Sequence, residues 1–213
     1  MPKMKIHDIS VEIGEDMVIW KDREHKKPRF LATLKYEDNG ANESKIKMDL
    51  HTGTHADAPF HMLKSGKKLN EIPLGKFIGK CKVLDLTGAK GKITEDILKK
   101  FEINKDDIIL IKTKNKLESR FDINFPFVDK NGAQYLAKKK IKTLGVDSLG
   151  VERDQPNHDT HKILFESGIS IIEGLELSKI RHGEYFLIAL PLKINADAAP
   201  LRAVLVELDL NIV

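Results

Sequence analysis

His51, His55, Asp57 and His61 fall within eleven residues, His51-Thr-Gly-Thr-His-Ala-Asp-Ala-Pro-Phe-His61. Imidazole and carboxylate are the ligands that zinc, manganese and iron accept at neutral pH. His51 and His55 are four apart, which on a helix would put them on one face. The residues around them oppose a helix: Gly53 is a poor helix former, Thr52 and Thr54 are β-branched, and Pro59 lacks a backbone donor. A straight strand fails too, because four residues at about 3.3 Å each separate the two histidines by roughly 13 Å. Ligands of a shared ion must each lie about 2.1 Å from it. The chain must curl, and Gly53 permits it. The stretch is expected to be a strand end entering a tight loop that presents His51, His55 and Asp57 to one ion. Pro59 then stiffens the exit and His61 lies just beyond. The competing reading is a surface loop that happens to be rich in histidine.

A second set of candidates comes later: His158, His161 and Glu173. Glu173 ends the apolar run Ile169–Ile172, where a lone buried carboxylate is costly unless paired or bound to metal. A helix from His161 to Ser167, closed by Gly168, turns into that strand and can bring residues twelve apart side by side. On chemistry alone the pair stays open between a metal site and a structural carboxylate that caps the turn at Gly174 or forms an ion pair. His158 reads as a surface histidine or as a group near substrate.

Several elements must position these residues. Lys5–Val11 and Lys45–Leu50 alternate as strands, and the second leads straight into the histidine stretch. Residues 14–30 lack periodicity and read as an arm or loop; Trp20 there is a packing residue or a substrate contact. Leu69–Phe77, broken by Pro73 and Gly75, reads as loop with a short helical turn, and Cys81–Leu86 as a strand. Thr94 can cap a helix through Phe101, and Ile108–Ile111 is short and apolar enough for a buried strand. Residues 113–127, with Arg120, Phe121, Phe125 and Phe127, read as ordinary packing or a substrate wall. Asn131 can cap a helix through Lys140. Thr143–Val146, Tyr185–Leu190 and Ala203–Leu208 read as strands, with a loop over Asn195–Pro200. Many strands and two or three helices in mixed order give an α/β domain with a mixed sheet.

Composition bounds the partners. The 213 residues suit a single domain over 1–213, without internal repeats or an evident boundary. The net charge of +4 is scattered, with no basic stripe interleaved with aromatics, so nucleic acid is not expected. Neither a membrane-spanning apolar run nor a cleavable signal pattern is evident. The lone Cys81 excludes an internal disulfide and reads as a buried, inert thiol, so a cytoplasmic protein is expected.

The first stretch, His-Thr-Gly-Thr-His-x-Asp-x-Pro-x-His, resembles the signature of the metal-dependent cyclase-like hydrolases, a family that includes bacterial kynurenine formamidase and isatin hydrolase. His158-x-x-His161 followed by Glu-Ser-Gly-Ile-Ser-Ile-Ile-Glu173-Gly-Leu is similar to the family's second motif. Phe127-Val-Asp-Lys-Asn-Gly132-Ala, Leu144-Gly-Val-Asp147-Ser148 and Leu187-Ile-Ala-Leu-Pro191-Leu-Lys extend the likeness over nearly the whole chain. The resemblance implies a swivelling β/β/α domain, assembled as a homodimer or homotetramer with active sites near subunit contacts. It implies that His51, His55 and Asp57 hold one divalent ion, zinc or manganese. Asp57 would bridge to a second ion held by His161 and Glu173, and His61 would be the acid/base histidine. Trp20, Phe127 and His158 are candidate substrate contacts. One departure concerns the pocket: family members often carry Pro-Gly-Asp after the early aromatic residue, where this chain has Trp20-Lys21-Asp22.

Three protein ligands leave an ion an open position for water, whose pKa then falls towards about 7. The expected reaction is hydrolysis of a small amide or formamide, with His61 protonating the leaving amine. A cyclic amide such as an isatin-like lactam is the alternative substrate. A non-catalytic metal site ranks below both, because structural zinc usually closes its four positions with cysteines and this chain has one.

Overall fold

A computed structural model describes residues 4–114 and 120–208. Its strands are β1 Met4–Asp8, β2 Arg29–Leu34, β3 Glu43–Lys47, β4 His55–Asp57, β5 Ile78–Asp85, β6 Lys92–Ile93, β7 Ile108–Lys112, β8 Phe127–Val128, β9 Thr143–Val146, β10 Ser170–Glu173, β11 Gly183–Ile188, β12 Ala198–Pro200 and β13 Val204–Leu208. The α-helices are α1 Tyr36–Asn39, α2 Glu95–Leu98, α3 Lys130–Lys139 and α4 Asp159–Glu166. α1 and α2 are single turns.

Nine strands form one mixed sheet in the order β1-β13-β11-β5-β7-β9-β10-β4-β12. β5, β7, β9 and β10 run parallel in its middle, and antiparallel strands flank them on both sides. Of these, β7, β9 and β10 are buried on both faces, which explains why Ile108–Ile111 and Ile169–Ile172 read as continuous apolar runs. Leu136 of α3 and Leu164 and Phe165 of α4 cover one face, against Leu84, Ile109, Ile111 and Leu144. On the other face Ala56 and Ala199 share a core with Leu187 and Leu205. β12 and β13 are seven strand spacings apart, roughly 34 Å in a flat sheet, so the sheet curls to bring its two ends together around this core. The mixed α/β fold expected from the sequence is thus present.

Several local expectations are corrected. The strand expected over Lys45–Leu50 is β3, which ends at Lys47 and pairs with β2 in a separate hairpin, so Ile46 is exposed rather than facing a core. Apolar alternation there marks a strand without telling which surface covers it. The 14–30 arm contains two 3-10 turns, Trp20–Asp22 and Glu24–Lys26, and ends in β2. β1 stops at Asp8, short of Val11. The loop expected over Asn195–Pro200 contains β12. α2 ends at Leu98, and Thr94 precedes it without a side-chain capping bond. α3 is capped by Asp129, whose carboxylate accepts from Gly132 N at 2.8 Å, rather than by Asn131. α4 begins at Asp159, two residues before His161. Part of the 113–127 segment, residues 115–119, lies outside the described residues. Among the described residues no helix is long and apolar enough to cross a membrane.

Candidate metal centre

The histidine stretch divides at Gly53, whose φ of +66° turns the chain as expected. The correction is that the residues after it are strand, not loop: His55–Asp57 is β4, held between β10 and β12. Alternation along β4 puts His55 and Asp57 on one side of the sheet. Glu173 of β10 pairs directly opposite His55, and so joins them. Gly174 (φ +69°) lies so close to the Gly53 carbonyl that a Cβ there would sit 2.4 Å from its oxygen. Thr54 fastens this approach, its hydroxyl donating to Gly174 O and accepting from Val11 N. His51 lies before the turn, its backbone N–H bonded to Asp49, which Lys26 holds in turn. His161 reaches the same point from α4, and His61 ends a 3-10 turn that starts at Pro59.

The ligand atoms converge. Asp57 Oδ1 lies 2.8 Å from His51 Nδ1 and 3.3 Å from His55 Nε2; Asp57 Oδ2 lies 3.5 Å from His161 Nε2. Glu173 Oε2 is 3.5 Å from His55 Nε2, and its Oε1 is 3.4 Å from His161 Nε2. His55 Nε2, His161 Nε2 and both Asp57 oxygens are buried without a hydrogen-bond partner. Buried polar atoms rarely stay unpaired. Two ligands about 2.1 Å from one tetrahedral ion sit about 3.4 Å apart, and four of these five separations match that value. The outer nitrogen of each ring is engaged: His55 Nδ1 bonds Gly53 O, His161 Nδ1 bonds Glu152 and His51 Nε2 bonds Asp197. Each of those partners accepts, so each ring turns a lone pair inward when neutral. Donor types and geometry fit a divalent cation.

A cleft of about 210 Å³ opens over this cluster. Trp20, His51, His61, His158, His161 and Glu173 are among the residues that line it. Trp20 also packs edge-on against Phe121 and Phe125, with centroids 5.0 and 6.0 Å away, so the same ring packs and borders the cleft. Phe127 does not line the cleft. It is buried in β8, beneath the Arg153 guanidinium that lies 4.8 Å from its ring centroid. Its apolar neighbourhood in sequence reflects packing. His158 reaches the cleft wall from the start of α4.

A family model described as putative cyclase matches residues 7–153. The chain belongs to this family. It is 32% identical over 201 residues to a kynurenine formamidase of Bacillus thuringiensis subsp. konkukian, covering 93% of this chain and 95% of that protein. The structure of a predicted metal-dependent hydrolase from Bacillus stearothermophilus matches with a TM-score of 0.87 at 43% identity, over 96% of this chain and 98% of that one. Isatin hydrolase A from Labrenzia aggregata shares the fold, with a TM-score of 0.82 at 24% identity over 95% of this chain and 93% of that one.

In this cyclase-family protein the charges around the cluster are tightly linked. Burial would raise the Asp57 carboxyl, but His51, His161 and His55 hold it well below the ordinary carboxylate range. Burial would lower His51, but Asp57, Asp197 and Glu173 outweigh it and push the imidazole up to about 9. His55 and His161 are raised against the same burial penalty by the same carboxylates. His61 is the exception: burial lowers it, and the attraction of Asp57 does not offset burial together with the neighbouring His51 and His161.

Two carboxylates around the site escaped the sequence reading. Glu152 is buried behind His161, and Asp197 sits beyond His51. Glu152 opens the polar stretch 152–160, and Asp197 lies among alanines in the segment expected to be a loop. The one available signal for Glu152 is its place six and nine residues before the two histidines it contacts.

Proposed function

We propose that this protein is a metal-dependent hydrolase of small amides, with a formamide such as N-formylkynurenine as its leading substrate. The observation that supports it most is the convergence of His55 Nε2, His161 Nε2 and the two Asp57 oxygens, buried and unpaired beneath an open cleft. The family relationship supplies the reaction class. We assign His51, His55 and Asp57 to one divalent ion and Asp57, His161 and Glu173 to a second, with zinc or manganese as the metals these donors suit.

When bound, the metal supplies a Lewis acid and a water of lowered pKa. The chain's own residues do the rest. Glu173 and Asp57 keep the negative charge in place. Trp20 and His158 border the space for a small substrate, and Arg153, braced on Phe127, closes one wall. His61, with its pKa below the ordinary imidazole value, is neutral at pH 7. It takes the proton released by the attacking water and delivers it to the amine nitrogen as the C–N bond breaks. The products from a formamide are the free amine and formic acid, which ionises to formate and releases its proton to solvent.

The same reading treats residues 1–213 as one domain and places it in the cytoplasm, where the buried Cys81 thiol, pushed up to about 12, stays reduced. It also takes the protein to be a homodimer or homotetramer. The hairpin of β2 and β3 exposes Phe30, Leu31 and Ile46. An isolated two-stranded ribbon is marginal in water, and a second copy would cover it.

The test is formate release from N-formylkynurenine and ring opening of isatin by metal-loaded protein, with metal measured in the same sample. Turnover that follows metal content is expected. Fully loaded protein that hydrolyses neither these compounds nor a panel of simple formanilides would overturn the proposal.

A further inference from the structure

Glu152 is in none of the ligand sets above, yet it is only 2% exposed and two of its three contacts are histidines that line the cleft. Its Oε1 lies 2.7 Å from His161 Nδ1 and 2.9 Å from His158 Nδ1, and its Oε2 accepts from Thr160 N at 3.0 Å. A carboxylate removed from water persists where its partners replace the solvent. The trio Glu152, His158 and His161 is also compact enough to be taken for an ion site. Its bonding argues against that, since both Glu152 oxygens are taken up by hydrogen bonds, and His161 turns its other nitrogen, Nε2, to Asp57 and Glu173.

We propose that Glu152 is a positioning residue that holds His161 in the tautomer offering Nε2 to a metal ion, and holds His158 against the cleft wall. The inference rests on the metal-hydrolase reading above. An ionised carboxylate only accepts, so the neutral His161 ring, the form that ligates, keeps its proton on Nδ1 and turns its Nε2 lone pair to Asp57 and Glu173. His158 has a φ of +50°, a left-handed conformation uncommon for a side chain-bearing residue, and the same Glu152 oxygen anchors its ring.

Glu152→Gln separates positioning from packing. Glutamine has nearly the same shape but one acceptor oxygen. The Thr160 N–H cannot switch roles, so the amide oxygen turns to it and the NH₂ turns to the imidazoles. An imidazole can switch: His161 then accepts at Nδ1 and carries its proton on Nε2, pointing at Asp57 and Glu173. That tautomer packs well and cannot ligate.

The experiment is Zn²⁺ titration of metal-stripped full-length protein by calorimetry, beside the melting temperature of the stripped form. In Glu152→Gln, Zn²⁺ uptake should weaken by about 10–100-fold in at least one step, the usual effect of removing an outer partner of a ligating histidine. The stripped variant should melt close to wild type. Unchanged Zn²⁺ affinity in Glu152→Gln, whatever its melting temperature, overturns the inference while leaving the metal reading intact. Wild-type protein that binds no Zn²⁺ overturns the metal reading, and this inference with it. If Glu152→Gln does not fold, Glu152→Asp carries the test. It keeps both acceptors at shorter reach and should weaken the same step by a smaller factor; unaltered uptake there overturns the inference equally.

Discussion

His51 and His61 stack with ring centroids 4.1 Å apart and a tilt of 41°. One Asp197 oxygen faces both rings, 2.9 Å from His51 Nε2 and 3.7 Å from His61 Nδ1, the latter too long for a hydrogen bond. The two imidazoles are driven in opposite directions, His51 up to about 9 and His61 below its ordinary value. Neighbouring groups pushed apart in this way mark a division of labour. His51 is fixed among carboxylates, whereas His61, lowered by burial and with no hydrogen bond to Asp197, is the ring left to accept and pass on a proton.

His61→Ala should therefore keep metal content, fold and KM. Its kcat should fall by roughly 10²–10⁴, the range for a lost general acid–base. The loss should be largest for substrates with the most basic leaving amine and should nearly vanish for an activated ester. Metal analysis beside kinetics on both substrate types decides it. If metal is lost with activity, His61 is a ligand, consistent with its place near His51 and Asp57, and the proton donor lies elsewhere. Equal losses on amide and ester would show that His61 does not protonate the leaving group.

Asp57→Ala removes the carboxylate that faces all three inward-turned rings. Metal content should fall to near zero and hydrolysis with it, more severely than in His51→Ala, which leaves the His161 and Glu173 side intact. Elemental analysis after gel filtration is the measurement. An Asp57→Ala protein with full metal and normal turnover would refute the ligand assignment.

The convergence of His51, His55 and Asp57 was legible because a metal site, the reading that drew attention to them, constrains sequence locally. Gly53 has to curl the chain, and two imidazoles and a carboxylate must recur at short spacing. β4 itself was not legible. His55, Ala56 and Asp57 carry little strand propensity, and the strand exists because β10 and β12 pair with it from both sides. Glu152 and Asp197 were missed for a related reason. Each is a lone acid in a segment without strand or helix periodicity until α4 and the segment entering β12 bring it against a histidine. Ile46 shows the opposite case: its alternation was read correctly as strand, but alternation does not tell what covers a face, and here Ile46 is exposed.

Glu173→Gln tests whether a second ion is held. The substitution preserves the oxygen that accepts from Val151 N at 2.6 Å, so the loop beyond β9 should stay in place. It removes the charge opposite His161. Metal stoichiometry should drop by one ion, with weakening beyond the roughly 10–100-fold seen when an outer partner is lost. Intact stoichiometry and activity with a lowered melting temperature would make Glu173 structural and the site mononuclear.

The last prediction concerns protons and metal competing for the same nitrogens. In metal-free protein, against burial, Asp57 and its neighbours push His51 up to about 9, and His55 and His161 are raised as well, so at pH 7 a proton occupies His51, a proposed ligand. Asp57 is held low and stays ionised. A metal must therefore expel protons, and its apparent affinity should rise with pH. For His51 alone, the ring is free in about one part in a hundred at pH 7 and in half at pH 9, a gain of roughly 50-fold in affinity. Stability should move the other way. A folded pKa raised above the unfolded value of 6.5 contributes stability that is complete below 6.5 and is lost as pH rises through about 9. Stripped protein should thus lose melting temperature between pH 6.5 and 9, while Zn²⁺-loaded protein, whose ion replaces those protons, should not. Zn²⁺ titrations against a competing chelator at pH 6, 7, 8 and 9, paired with melts of both forms, measure the two trends. An affinity that is flat or falling across this range would mean that these histidines are not the groups the metal displaces protons from.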